Sequence, residues 1–224
     1  MSNPEDVLKE IAVAASACTL CALHNSRERS VPGEGPAQAD LMFIGEGPGY
    51  HENKTGRPFV GAAGKFLDEL LNSIGLDRSK VFITNVVKCR PPNNRDPLPE
   101  ELAACDGYLQ QQITAINPKV IVTLGRFSMA KFLPGVKISA VHGKPKRVDG
   151  RLVVPMFHPA AALHQGNLKP VVQQDFAKLP RFIEFEYNRL AEKQAEYVVQ
   201  PPEPVAPAQD EDESKQPPQQ LRMF

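Results

Sequence analysis

At 224 residues and 42% apolar content the chain is long enough for one compact domain with a real core, plus a tail. No run approaches the roughly 20 apolar residues that span a bilayer, and MSNPEDVLKE has neither the basic start nor the apolar middle of a signal peptide, so a soluble cytoplasmic protein is expected. The formal charge is zero, yet residues 200–224 carry five carboxylates against two cations, a net of −3 that leaves +3 on residues 1–199 and neither shows nor excludes a nucleic-acid surface.

In chain order, residues 5–17 space their apolar positions as a helix does. LMFIG (41–45), VFITNVVK (81–88), KVIVTLG (119–125) and RLVVPMFH (151–158) are short β-branched runs bounded by turn residues, and they read as buried strands. Between them lie the amphipathic stretches GAAGKFLDELLNSIGL (61–76), PEELAACDGYLQQQITAIN (99–117) and RFSMAKFL (126–133). A further helix runs from about 170 to 197, with Pro180 marking a kink or break. This alternation predicts an α/β protein whose parallel sheet is covered by helices on both faces, with residues 1–199 as its domain. Residues 200–224 hold six of the 22 prolines and are expected to be disordered.

In open parallel sheets ligands sit beyond the carboxyl ends of the strands. GEGPG, Asn85 with CRPPNNR, GRF and HPAA follow the four runs and are expected to share one cleft. GEGPG fits neither GxGxxG nor a P-loop: Pro48-Gly49 occupies positions that should be free, no GK[ST] follows, and Pro48 lacks an N–H for a phosphate. The stretch instead offers open backbone at Gly45, Gly47 and Gly49, carboxylates at Glu46 and Glu52, and the ring of Phe59. That set suits a flat, neutral, hydrogen-bonding ligand such as a nucleobase, although Phe59 would serve equally as a core plug. The Asn85 amide matches the edge of a uracil ring, and His158 at a strand end can donate to a base carbonyl; capping a loop and a helix are their ordinary alternatives. The clusters KPKR (144–147) and CRPPNNR (89–95), with Arg90 and Arg95, are candidate phosphate contacts or simply solvated charge.

Cys18, Cys21, Cys89 and Cys105 are all the cysteines present. A CxxC pair with two distant singles suits a four-iron cluster at least as well as zinc, and buried unligated thiols are the remaining option.

Taken together, GEGPG, ENKTGRPFVGAAG, TNVVKCRPPNNR, HPAA and the order of the cysteines resemble the family 4 uracil-DNA glycosylases, the iron-sulfur type of bacteria and archaea, over roughly residues 15–190. The resemblance implies a three-layer α/β/α fold and a [4Fe-4S] cluster on Cys18, Cys21, Cys89 and Cys105. It implies removal of uracil from single- and double-stranded DNA. By position, Gly45, Glu46 and Gly47 lie beside the base, Phe59 stacks on it, Asn85 reads its edge and His158 contacts O2. Catalysis falls to His158 with Glu46 or Glu52, one of which favours the cationic sugar and aims water. Family members often carry alanine where Gly47 stands, and an Asp or Asn used for water in other glycosylase families is absent here. Leu163 is the expected wedge filling the gap left by the everted base, with His164 or Lys169 near phosphate and Tyr50 or His51 excluding the thymine methyl. A monomer is expected.

The terminal QLRMF resembles the bacterial sliding-clamp-binding pentapeptide, with Gln220 at the rim and Leu221, Met223 and Phe224 filling the clamp pocket.

Overall fold

The computed structural model describes residues 3–199, with side chains to residue 195. The tail and its peptide Gln220, Leu221, Met223 and Phe224 lie outside the described residues. The chain divides into two units, residues 1–189 and 190–224. The first holds the sheet and the candidate site.

Helix α1 (Pro4–Ala17) is capped by Asn3, whose side chain accepts from the Glu5 N–H, and has Pro4 in its first turn, where a missing N–H costs nothing. The four β-branched runs become β1 (Leu41–Gly45), β2 (Val81–Asn85), β3 (Val120–Leu124) and β5 (Arg151–Met156), and the sheet order is β2-β1-β3-β5-β4. The first four in that order are parallel. β4 (Lys146–Val148) corrects the purely parallel expectation, since it pairs antiparallel with β5 at the edge. Its basic residues are those of KPKR, and Arg147 is bound bidentate to the buried Glu186 carboxylate at 3.1 and 2.6 Å, so it is not a free phosphate contact.

Alternate side chains of β1 enter different cores. Leu41 and Phe43 pack with Leu67, Leu71 and Phe176 on one face; Met42 and Ile44 pack with Leu109 and Ile113 on the other. Both faces are therefore apolar and both are covered, which gives the expected three layers. The first face is covered by α3 (Ala62–Ser73), α7 (Pro159–His164) and α8 (Leu168–Ala177), the second by α1 and α4 (Pro99–Ile116). α4 stops at Asn117, which adopts the left-handed conformation (φ 47°). The long helix expected near the end is two: α8 closes at Lys178 and α9 (Leu179–Val199) begins anew, with Pro180 in its first turn. Short helices α2 (Tyr50–Thr55), α5 (Arg126–Ala130) and α6 (Ile138–Val141) complete the set. Among the described residues no helix is long and apolar enough to cross a membrane.

Candidate active site

Register sets the site. Gly45 is the direct partner of Asn85 in the β1·β2 ladder, so both strands end at the same level, and His158 follows two residues after the end of β5. The loop after β1, Glu52, Phe59, Asn85 and His158 line one cleft of about 380 Å³. Three of the four expected segments meet there, bringing Glu46, Gly47, Glu52, Phe59, Asn85 and His158 together, with Gly45 packed behind Asn85 and Phe59; GRF (125–127) after β3 does not line the cleft. Gly45 is close-packed rather than merely flexible. A Cβ there would sit 2.3 Å from Asn85 Oδ1 and 2.6 Å from the Phe59 ring.

Asn85 is only 2% exposed, and its Oδ1 has no hydrogen-bond partner among the described residues. Leaving a buried acceptor unpaired costs about 1–3 kcal/mol, which a ligand N–H would recover. The backbone beneath it is fixed by Lys88, a residue the sequence reading passed over. Its buried ammonium donates to the Asn85 carbonyl at 2.8 Å, to Thr84 Oγ1 at 2.7 Å and to Gln112 Oε1 at 2.8 Å. Burial pushes the Lys88 amine down to about 8. Asn85 and Thr84 lie 3 and 4 residues away, but Gln112 lies 24 away, and that partner no local pattern discloses.

His158 is both helix cap and site residue, so the two readings of it coincide. Its Nδ1 accepts from the Ala160 N–H at 3.1 Å at the start of α7. An acceptor Nδ1 requires the proton on Nε2, which is then a donor. Desolvation by the surrounding atoms pushes the imidazole down to about 4, opposed by the Glu52 carboxylate, so the ring is neutral at physiological pH. The ring stacks on Phe59, centroids 5.4 Å apart and planes 23° from parallel.

Phe59 belongs to the first core and to the cleft wall at once. Its φ of 52° is a left-handed conformation that costs a bulky residue about 1–3 kcal/mol and must be held by its surroundings. Glu52 Oε1 accepts from the Val60 and Gly61 N–H groups at 3.0 and 3.2 Å, bracing the chain just beyond. Glu46 reaches across to α5, where its Oε1 accepts from the Phe127 N–H at 3.1 Å; burial raises its carboxyl pKa, and the backbone hydrogen bond opposes that rise.

On α7, His164 lines the cleft; the neighbouring Leu163 is 46% exposed and is not among the lining residues. Several expectations are corrected. Tyr50 and His51 are not among the cleft-lining residues; Tyr50 is exposed, with the Lys54 and Arg90 cations 5.6 and 5.4 Å from its ring, so that ring is turned away from the cleft. Of the pair expected near phosphate, His164 lines the cleft and Lys169 does not, its ammonium lying 5.2 Å over the Phe66 ring. Arg95 is bound bidentate to Glu101, at 2.6 and 2.8 Å, and that carboxylate also accepts from the Leu98 N–H at the start of α4. Arg95 thus lines the cleft as one half of an ion pair, while Arg90, not itself a cleft-lining residue, hydrogen-bonds Asn94 Oδ1 at 2.8 Å, and Asn94 does line it.

A second cavity is lined by all four cysteines, with Leu23, Arg27, Lys88 and Tyr108. The N–H of Lys88 donates to Cys105 Sγ at 3.2 Å, and Arg27 Nη1 to Cys89 Sγ at 3.5 Å. Burial pushes the Cys105 thiol up to about 11 and raises Cys89, so a positive metal centre would be needed to ionise them. Among the described residues no group of three or more His, Cys, Asp or Glu is arranged to hold a single metal ion.

Residues 32–179 match the sequence pattern of the Uracil DNA glycosylase superfamily. The chain is 48% identical to a type-4 uracil-DNA glycosylase of Sulfurisphaera tokodaii, across 78% of this chain and 84% of that one. It is 44% identical to a type-4 uracil-DNA glycosylase of Thermotoga maritima, across 83% of this chain and all of that one. A third, from Archaeoglobus fulgidus, is 47% identical across 80% of this chain and 92% of its own length.

Proposed function

Because the chain belongs to the uracil DNA glycosylase superfamily, among its type-4 enzymes, we propose that it removes uracil from single- and double-stranded DNA by hydrolysing the N-glycosidic bond. The product is an abasic site, the entry point of base excision repair. One observation carries this reading: the orphaned Asn85 Oδ1 shares a cleft with a neutral His158 whose Nε2 donates. An acceptor and a donor of that kind match the N3–H and O2 of an everted uracil, with Phe59 stacked on its face.

The bond between C1′ and N1 breaks with its electron pair going to the base, leaving an oxocarbenium-like sugar and a uracil anion. His158 Nε2–H stabilises the charge that develops on O2, and a donor already oriented by the Ala160 cap is worth more than one that must reorient in water. Water adds to C1′ and gives up a proton. Glu46 is the better acceptor for it, because burial raises its pKa despite the Phe127 N–H on its Oε1, while Glu52 Oε1 is held by two backbone N–H groups. Glu52 acts through charge and through the Phe59 loop. The exposed Leu163 enters the gap in the base stack, and Arg90 contacts backbone phosphate.

Incubated with a uracil-containing oligonucleotide, the protein should yield free uracil and an abasic strand, and undamaged DNA should compete. Cleavage of free deoxyuridine without competition by DNA would make it a nucleoside hydrolase instead.

The four cysteines suit a [4Fe-4S] cluster: they line one cavity, two of the sulfurs receive N–H donors, and cluster ligands stand farther apart than the ligands of one ion. When bound, such a group would cross-link the segment after α1 to the loop after β2. No step of the hydrolysis passes through it. Anaerobically purified protein should absorb visible light and contain iron and sulfide in equal amounts. Cys105→Ala should lose both and melt at lower temperature, and metal-free protein with an unchanged melting temperature would overturn the assignment.

For the tail we propose binding to a bacterial-type sliding clamp through Gln220, Leu221, Met223 and Phe224, on the strength of the sequence resemblance. Deleting residues 220–224 should abolish clamp capture and leave excision unchanged. Capture that survives the deletion would refute it.

A further inference from the structure

We propose that Arg78 is a positioning residue for base recognition, holding Phe59 in the backbone conformation that sets its ring in the cleft; this rests on the reading that Phe59 stacks on uracil. Arg78 opens a short 3-10 turn before β2 and does not line the cleft. Its guanidinium donates from Nη1 to the Pro58 carbonyl at 2.9 Å, from Nη2 to the Phe59 carbonyl, and from Nε to Asp68 Oδ1 of α3 at 2.7 Å. Glu34 Oε1 lies 4.0 Å from Nη1 on another side. The planar fork thus grips two successive carbonyls and is itself aimed by a carboxylate, a geometry that a lysine ammonium cannot reproduce.

The grip falls where the backbone needs it. Phe59 has the positive φ, and the chain on its far side is pinned by Glu52 through the Val60 and Gly61 N–H groups. The peptide before Phe59 is therefore held through the Pro58 carbonyl, and the peptide after it through both the Phe59 carbonyl and the Val60 N–H, by two side chains of opposite charge, from the turn before β2 and from α2. Helix α3 closes the third side. A Cβ on Gly64 would lie 1.8 Å from the Phe59 carbonyl oxygen, so the helix presses directly on the bent peptide. A strained conformation held from three directions fits a ring whose placement matters.

The test is a double-mutant cycle between Arg78→Met and Phe59→Ala, read by free-uracil binding, single-turnover excision and the nuclear Overhauser contact between the Phe59 and His158 rings. Arg78→Met alone should weaken uracil binding and slow excision by about tenfold each, lose the ring contact, and leave affinity for undamaged DNA unchanged. In the Phe59→Ala background the same substitution should cost less than about twofold, because its target is gone. Should Arg78→Met fail to fold, Arg78→Lys carries the test, with a smaller loss that likewise vanishes beside Phe59→Ala. Equal losses in both backgrounds, or a ring contact that persists without Arg78, would overturn the proposal. If Phe59→Ala alone binds uracil and excises as the wild type does, the stacking reading falls, and Arg78 is left holding a ring with no part in recognition.

Discussion

Replacing His158 with alanine should lower single-turnover excision by about 10²–10³ while DNA affinity changes little. The size follows from removing one preorganised donor to a developing anion, and the selectivity from where His158 sits. It lines the cleft at the start of α7, and its Nδ1 is already used by the Ala160 N–H, which leaves Nε2 for a ligand. The loss also has a pH signature. The imidazole is pushed down to about 4 from an ordinary value near 6.5, so the folded protein binds fewer protons here than the unfolded chain between those values. Whatever stability the neutral ring contributes is complete above about 6.5 and lost as pH falls toward 4. Excision should therefore show no loss attributable to this group from neutral pH down to about 5, and should fall near 4, where protonation turns Nδ1 into a donor and breaks the cap. Unchanged excision in His158→Ala would remove His158 from the mechanism, and a rate that collapses at pH 6.5 in the wild type and not in the variant would contradict the neutral ring.

Asn85→Asp should lower uracil excision by about 10³ or more and raise the ratio of cytosine to uracil cleavage. The amide offers one acceptor and a pair of donors, whereas an ionised carboxylate offers acceptors only. Its second oxygen would oppose the O4 carbonyl of uracil in a site 2% exposed, where two unmatched acceptors have no water to relieve them. Cytosine presents an amino group at that position and would be penalised less. Comparison of single-turnover rates on paired uracil and cytosine oligonucleotides reads the effect directly. Wild-type specificity in the variant would contradict the assignment of Asn85 to the base edge.

Both variants act on residues that the sequence alone pointed to, and the reason is local. Strands β1, β2, β3 and β5 announce themselves as compact β-branched runs, and in a parallel sheet the residues just past such runs share one rim. Gly45, Asn85 and His158 follow from that rule, with the ladder register supplying the last step. What the sequence concealed is non-local or short. β4 is three residues long and only its last is even partly buried, so no apolar alternation marks it. Arg95 reads as a spare cation until Glu101, one turn into α4, is seen buried against it. The Glu46 carboxylate finds the Phe127 N–H 81 residues away, and Arg78 finds the Phe59 carbonyl 19 residues back across a helix. Tyr50 failed for the opposite reason: nearness in sequence to GEGPG suggested nearness to the ligand, but α2 turns that ring outward to the Lys54 and Arg90 cations.

The most direct measurement is a crystal structure of the protein with free uracil. The account predicts one pyrimidine in the cleft beyond β1, β2 and β5, its N3–H on Asn85 Oδ1, its O2 on His158 Nε2 and its face on the Phe59 ring. Uracil bound elsewhere, or seated there with Asn85 Oδ1 still unpaired, would contradict it.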